Sequence, residues 1–325
     1  MINIPLNNLR ERFINQSTIQ LFKSGIDTPG YSLSDFIHGY VYTRWPYLYI
    51  GIGKGDHWIA RFINSMRKIF HESKQDSYTS NAQPLRITLD ARTPTQTFAD
   101  GYHGKVVPLA AAKQLVMINE DIELRNLEEI VPYTHARDII MQNPDHLVAL
   151  ECPCRAGVDN PCLPLDVCLI VGEPFASFVL DHHHQRARPI SQSEAVNILS
   201  AEDQRGHVHH AFFKDAMLGR FYAICNCCSC CCGAMNAHQR GTPMLASSGY
   251  ICTVDEVLCV GCGTCQKVCQ FSAIQKGKRV SVIDTQLCMG CGVCVTHCEQ
   301  SALSLLRDPS CGEPLEIEQM LVRGI

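Results

Sequence analysis

The run of apolar and polar positions divides the chain unevenly. Phe36 to Ile52 reads FIHGYVYTRWPYLYIGI, dense in aromatic and β-branched residues, and its internal Pro46 predicts an edge strand or a broken segment. After Gly55, the residues Trp58, Ile59, Phe62, Ile63, Met66, Ile69 and Phe70 recur at helical spacing, with Arg61, Arg67 and Lys68 on other faces. That pattern predicts a basic amphipathic helix over 58–70, which packs on a core with its cations reaching outward, docks on a partner or lies on a membrane surface. From His71 to about Thr97 the residues Ser, Gln, Asn, Thr and Pro predominate, which reads as a linker or a long surface excursion.

Periodicity returns further on. Val106 to Val116 holds short apolar runs, Glu120 to Glu129 is acidic, and Tyr133 to Met141 predicts a helix ended by Pro144. Leu147-Val148-Ala149-Leu150 reads as a buried strand. Ser191 to Glu194 is a capping box opening a helix with Ala195, Ile198 and Leu199 on its apolar face and Gly206 at its end. The histidines of Asp181-His182-His183-His184 read as a solvated polar loop, against a metal site or proton relay. His207, His209 and His210 fall at the turn after the helix, close enough in sequence to the cysteines that follow to offer a ligand or a hydrogen bond.

Composition changes this ordinary picture at one point. The 325 residues, 46% hydrophobic and 18% charged with a formal net charge of −4, suit two or three globular domains and give no electrostatic reason to expect nucleic acid as a partner. The 20 cysteines set the class. Met1 to Pro5 does not begin like a signal peptide, so metal-bound thiolates in a reducing, anaerobic cytoplasm are expected rather than disulfides. No apolar run approaches the roughly 20 residues of a spanning helix, so no transmembrane segment is expected; peripheral contact at the membrane face stays open through the basic helix.

The cysteines fall into three constellations. The first runs from Cys259 to Cys298, where LCVGCGTCQKVCQFSAI is echoed 29 residues on, from Cys259 to Cys288, by LCMGCGVCVTHCEQSAL. Each half spells C-x2-C-x2-C-x3-C, in which three thiolates hold one [4Fe-4S] cube and the fourth holds the other. Cys259, Cys262, Cys265 and Cys298 thus form one ligand set and Cys288, Cys291, Cys294 and Cys269 the second; two zinc sites are the rival account. The second constellation is Cys152, Cys154, Cys162 and Cys168, with Arg155 placed to offset charge or donate to a sulfur, and Pro153, Pro161 and Pro164 stiffening the loop. The third is Cys225, Cys227, Cys228, Cys230, Cys231 and Cys232, six thiols in eight residues. On an extended backbone successive side chains point to opposite faces, so Cys227 and Cys228, or Cys230 and Cys231, would serve different centres. This segment is expected to close against the Cys152–Cys168 loop and share one or two further clusters or a zinc. Together the segment and the loop hold ten thiols, more than the eight that two cubes need. Cys252 and Cys311 flank the ferredoxin unit and read as spares, for packing or an occasional contact.

Residues 251 to 307 resemble the bacterial two-cluster ferredoxins, which implies short strand pairs and two small helices around the clusters. The proline usual after each fourth cysteine is Gln270 in one half and Glu299 in the other. More widely, residues from about 130 to 306 resemble a family of anaerobe iron–sulfur proteins. Its marks here are Cys152-Pro-Cys154-Arg155, Pro164-Leu-Asp-Val-Cys168, Gly206-His-Val-His209 and Asn226-Cys-Cys-Ser-Cys-Cys-Cys-Gly233 ahead of the ferredoxin region. The resemblance implies an electron-transfer protein or oxidoreductase subunit.

The expected fold is α+β. An N-terminal mixed region (1–100) for docking or surface association precedes a Cys-rich metal-binding module (101–250), a two-[4Fe-4S] ferredoxin-like domain (251–311) and a tail (312–325). Gly51-Ile-Gly53-Lys-Gly55 lacks the G-x-G-x-x-G form and no Walker pattern occurs, so no nucleotide or flavin motif is present. The expected function is one-electron relay as a subunit of an anaerobic oxidoreductase complex, with redox partner proteins. Balanced charge in the ferredoxin region favours a docked subunit: Asp255, Glu256, Asp284, Glu299 and Asp308 stand against Lys267, Lys276, Lys278, Arg279 and Arg307. The alternatives are a redox enzyme with its centre at Cys225–Cys232 and a metal or cluster carrier.

Overall fold

The computed structural model describes residues 15–54 and 98–323. The helix expected over 58–70 and the polar run to Thr97 lie outside the described residues.

The aromatic segment after residue 32 is helical, not a strand. Helices α1 (Gln16–Ile26), α2 (Leu33–Arg44) and α3 (Pro46–Lys54) follow one another. The Ser32 hydroxyl accepts the Asp35 N–H at 3.2 Å and the Asp35 carboxylate accepts the Ser32 N–H at 2.9 Å, so α2 is nucleated locally. Pro46 is the first residue of α3, where a missing N–H costs nothing, and Trp45 before it is non-helical. The aromatic side chains serve packing on the rest of the fold: Tyr42 bonds Tyr222 hydroxyl to hydroxyl at 2.7 Å, and Tyr40 meets Phe178 edge to face at 5.7 Å.

An eight-stranded sheet forms the centre, in the order β2-β3-β4-β7-β6-β1-β8, with β5 also pairing β3. Its strands are β1 (Tyr102–Val107), β2 (Ile122–Leu124), β3 (Ile139–Glu151), β4 (Asp166–Glu173), β5 (Ala187–Ile190), β6 (Val208–Lys214), β7 (Arg220–Cys227) and β8 (Leu245–Ala246). Pairing is antiparallel throughout except between β1 and β8. Leu147 to Leu150 is the buried strand expected, but the helix expected over Tyr133–Met141 is not formed. Ile139 to Met141 instead begin β3 and pair with β2, and Pro144 sits where the β3–β4 register shifts between Gln142 and Leu147, so no ladder bond is lost. Helices α4 (Phe98–Gly101), α5 (Leu109–Met117), α6 (Pro153–Ala156), α7 (Phe175–His182), α8 (Gln192–Gln204) and α9 (Gly233–Gln239) flank it.

Helix α8 starts where the capping box predicts, with the Ser191 hydroxyl accepting the Glu194 N–H, and Gly206 closes it at φ +81°. The three histidines at 182–184 are not a solvated loop. His182 ends α7 and bonds Thr18 at 2.9 Å, while buried His183 bonds the Thr43 carbonyl at 2.7 Å; these two rings tie α7 to α1 and α2. His184 is exposed.

Two small ribbons follow the sheet: β9 (Tyr250–Val254) with β12 (Leu303–Arg307), and β10 (Ile274–Lys276) with β11 (Ser281–Ile283). Helices α10 (Thr264–Val268) and α11 (Val293–Thr296) lie between their strands. The chain then returns through α12 (Ile317–Arg323), and Leu315, Ile317 and Met320 join the main core. Among the described residues no helix is long and apolar enough to cross a membrane.

Candidate metal centres

The sequence repeat becomes a structural one. Gly263 and Gly292 adopt left-handed backbone (φ 79° and 84°) immediately before α10 and α11, and each turn carries the second and third cysteines of its half. At Gly290 (φ 64°) a Cβ would collide with the Tyr250 carbonyl and the Ser248 hydroxyl, so only glycine fits.

Cys259, Cys262, Cys265 and Cys298 line one cavity of about 330 Å3, solvent at its mouth included, three thiols from one half and the fourth from the other. In the second group, burial lifts the Cys291 thiol and its neighbours Cys294, Cys269 and Cys288 lift it further. Backbone N–H groups point at the sulfurs: Ala302 to Cys298 at 3.3 Å, Ala273 to Cys269 at 3.3 Å and Cys252 to Cys288 at 3.4 Å. Four sulfurs with amide donors around a small space fit a thiolate-held cluster. The two groups differ in setting. Cys262 is exposed, whereas Cys291 packs against a buried cluster of Val293 with Val106 and Val208 of the central sheet.

The ten upstream thiols meet at one end of the sheet and divide into two groups. Leu150 pairs with Cys168 across β3 and β4, and Leu169 with Ile224 across β4 and β7, which brings Cys152, Cys168 and Cys225 together. Cys162, Cys228, Cys230 and Cys231 have sulfurs all within 4.8 Å of one another, enough for one four-thiolate site. Cys152, Cys154, Cys168, Cys225, Cys227 and Cys232 border a cavity of about 840 Å3, solvent at its mouth included, together with Tyr42, Tyr102 and Tyr222. Cys228 and Cys231 border it too and so stand between the two groups. Cys227 and Cys228 part to different groups, as an extended backbone requires. Cys230 and Cys231, expected to part likewise, stay together because the chain leaves β7 and turns over 229–231.

Contacts link the six-thiol group as a chain. Cys152 meets Cys154 and Cys168, Cys168 meets Cys225, and Cys232 meets both Cys154 and Cys227. The Cys232 thiol draws Cys227 down to about 6 against the effect of burial, and His210 acts in the same sense. Burial, with Cys230 beside it, lifts Cys162 up to about 11. Thiols this close cannot all ionise, because each thiolate raises the cost of the next; a cation removes that repulsion.

The support of this end is a buried charge network. Arg155, 1% exposed, donates to the Pro164 carbonyl at 2.7 Å, the Glu202 carboxylate at 2.5 Å and the Asn226 carbonyl at 2.9 Å. Its hydrogen-bond partners are thus these oxygens and the His207 ring at 3.0 Å, with no sulfur among them. It does lie within electrostatic reach of Cys152 and Cys228, and its Nε has no hydrogen-bond partner. Burial works against the Glu202 charge, but His207 and Arg155 hold the carboxyl below the usual carboxylate range. His209 bonds the Asn226 side chain at 2.6 Å, while His210 sits beside Cys227 of the group.

Two residues escaped the sequence reading. Gln270, in the place of the usual proline, accepts both the N–H and the hydroxyl of Ser229 at 2.9 Å and donates to the Gly206 carbonyl at 2.9 Å. It fastens the ferredoxin-like unit, one residue from Cys269, to the turn between Cys228 and Cys230. Cys252 does pack, as expected of a spare, and its contact is specific: buried, it lies with its sulfur 3.4 Å from that of Cys294. The 29-residue repeat is the signal that points to it. Cys311 ends a short 3-10 turn, Pro309–Cys311.

Comparison with known proteins matches residues 258–303 to the 4Fe-4S dicluster domain family. Those residues form a ferredoxin-type iron–sulfur domain, which supports a role in electron transfer. No curated protein matches the chain.

Proposed function

We propose that the chain is a multi-centre iron–sulfur relay, an electron-transfer subunit of an anaerobic oxidoreductase complex, acting in the cytoplasm with redox partner proteins. Cys259, Cys262, Cys265 and Cys298 would hold one [4Fe-4S] cube and Cys288, Cys291, Cys294 and Cys269 the other. Cys162, Cys228, Cys230 and Cys231 would hold a third centre, and the six-thiol group a fourth. When bound, such clusters accept and release electrons over a wide range of potential. The chain's own residues supply the thiolates, the amide donors, the burial of the second ferredoxin group and the spacing between sites.

The observation that carries the reading is the bridge at Gln270. An iron–sulfur domain with no further task has no need to be fastened to a turn flanked by two cysteines of another thiolate site. The bridge brings Cys269 within a few residues' reach of Cys228 and Cys230, the short separation that stepwise transfer needs.

Metal analysis of anaerobically purified protein tests the proposal. About twelve to sixteen irons per chain with matching acid-labile sulfide are expected; about eight would confine the clusters to residues 258–303 and overturn the relay. Cys162→Ser and Cys168→Ser should each remove a different metal signal, because their thiols lie in different groups. Loss of the same signal in both would merge the two sites into one.

A second reading is favoured by the 840 Å3 cavity. Its eight lining thiols and tyrosine-lined apolar wall suit a redox enzyme whose reactive centre lies at Cys225–Cys232, fed by the ferredoxin-type domain. Turnover of a small oxidant that is lost in Cys227→Ser, with the remaining clusters intact, would select it.

A further inference from the structure

The two halves of the ferredoxin-type region are related by a shift of 29 residues, which carries Cys259, Cys265 and Gly261 onto Cys288, Cys294 and Gly290. The same shift carries Cys252 on β9 onto Ser281 on β11. The register agrees, since Val254 pairs with Leu303 as Ile283 pairs with Ile274. Both residues are buried, at 2% and 5% exposure. Each makes the same pair of contacts. The Cys252 N–H donates to Cys288 at 3.4 Å while its thiol lies 3.4 Å from the Cys294 sulfur. Ser281 faces Cys259 with both its backbone and its hydroxyl, and the hydroxyl lies 3.2 Å from the Cys265 sulfur. The repeat thus places one small polar side chain against the third cysteine of each half, and the two are chemically unequal: the Ser281 hydroxyl can donate to Cys265, whereas the Cys252 thiol accepts from Cys294 and turns its own hydrogen to the Thr253 carbonyl at 3.7 Å.

We infer that Ser281 and Cys252 are positioning residues that set the two ferredoxin cubes at different potentials, with the cube on Cys259, Cys262, Cys265 and Cys298 the easier to reduce. This rests on the two-cube ligation proposed above. A hydrogen bond to a ligand sulfur stabilises the more negative, reduced state and so raises the potential. A hydroxyl is a stronger donor than a thiol, whose S–H bonds only weakly. Setting adds to the difference in the same direction. Cys262 is exposed and the neighbouring Val260 is 64% exposed, whereas Cys291 packs on the buried cluster of Val293 with Val106 and Val208 of the central sheet. Water at the outer group stabilises the added negative charge; apolar surroundings at the inner group do not. The inner group is also the one that Gln270 fastens to the upstream thiols, through its neighbour Cys269. One electron therefore passes downhill from the inner cube to the outer, where a partner would collect it, the inner cube being oxidised as the outer is reduced.

An EPR-monitored redox titration of the full chain, anaerobic and metal-loaded, tests the pairing. In Ser281→Ala the equilibrium between the cubes should shift on the order of tenfold towards the inner one, about 59 mV for a one-electron couple, through a fall in the outer midpoint alone. Cys252→Ser should raise the inner midpoint alone, and the exchange Cys252→Ser with Ser281→Cys should narrow or invert the gap. Midpoints that stay put in both single variants would overturn the inference, as would loss of the inner cube in Cys252→Ser, which would make Cys252 a ligand. An unsubstituted protein without two distinct [4Fe-4S] signals would instead sink the two-cube reading itself, and the inference with it.

Discussion

Replacing Arg155 with alanine is expected to lower stability by about 3–5 kcal/mol, because it strands a buried carboxylate. Glu202 is fully buried and meets Arg155 at 2.5 Å; what remains to it is the His207 ring at 2.6 Å and, on its other oxygen, Arg205, whose side chain is 44% exposed to solvent. The loss reaches past the ion pair. The same guanidinium holds the Pro164 carbonyl of the Cys162–Cys168 loop and the Asn226 carbonyl between Cys225 and Cys227, so both walls of the six-thiol group lose their common tie. Denaturant midpoints of the two proteins measure the effect, and a difference under about 1 kcal/mol would show the network to be dispensable. Removing Glu202 as well should recover part of the loss, since the stranded charge then disappears. Acid works in a known direction. The Glu202 carboxyl is depressed in the fold, so its contribution is whole above the ordinary carboxylate range and is lost as pH falls through the depressed value. The gap between the native chain and Arg155→Ala should therefore narrow as the solution is acidified.

Stripping the metal with a chelator should unfold residues 250–307 while the central sheet persists. The two regions have different cores. That of the ferredoxin-type unit consists of Cys252, Cys265, Ile274, Cys294 and Leu303, three thiols among five buried side chains. Its ribbons of five and three residues per strand are too short to stand alone. Binding free energy at such a site is folding free energy. The sheet from β1 to β8 instead buries Val107, Leu147, Phe178, Leu199, Phe212 and Ile224 in one large apolar cluster. Amide hydrogen exchange separates the two. Protection should vanish at Cys252–Val254, Ile274–Lys276, Ser281–Ile283 and Leu303–Arg307, and survive in β3, β6 and β7. Retained protection in the short ribbons after full iron loss would mean that the chain alone holds them.

The chemistry of this chain was legible wherever it depended on spacing along the backbone. C-x2-C-x2-C-x3-C twice over, the glycines between its ligands and the Ser191 cap act within a few residues, and at that range the covalent chain determines what meets what. Strand Leu147–Leu150 was legible for the same reason, since its apolar run needs no partner to be named. The aromatic stretch around Pro46 and the segment Tyr133–Met141 went the other way. β-branched and aromatic residues suit both kinds of element, and the choice fell to what they pack against, Tyr222 and Phe178 for the first and β2 for the second. By itself the sequence determined that the chain carries a ferredoxin-type domain, which cysteines belong to its repeat, and that ten more thiols gather upstream. Only the tertiary structure decided how those ten divide, why Gln270 replaces a proline, and that Arg155 faces Glu202 while Cys252 faces Cys294. Those are meetings across tens of residues, set by strand order and by the turn at Cys228–Cys231, and no local pattern encodes them.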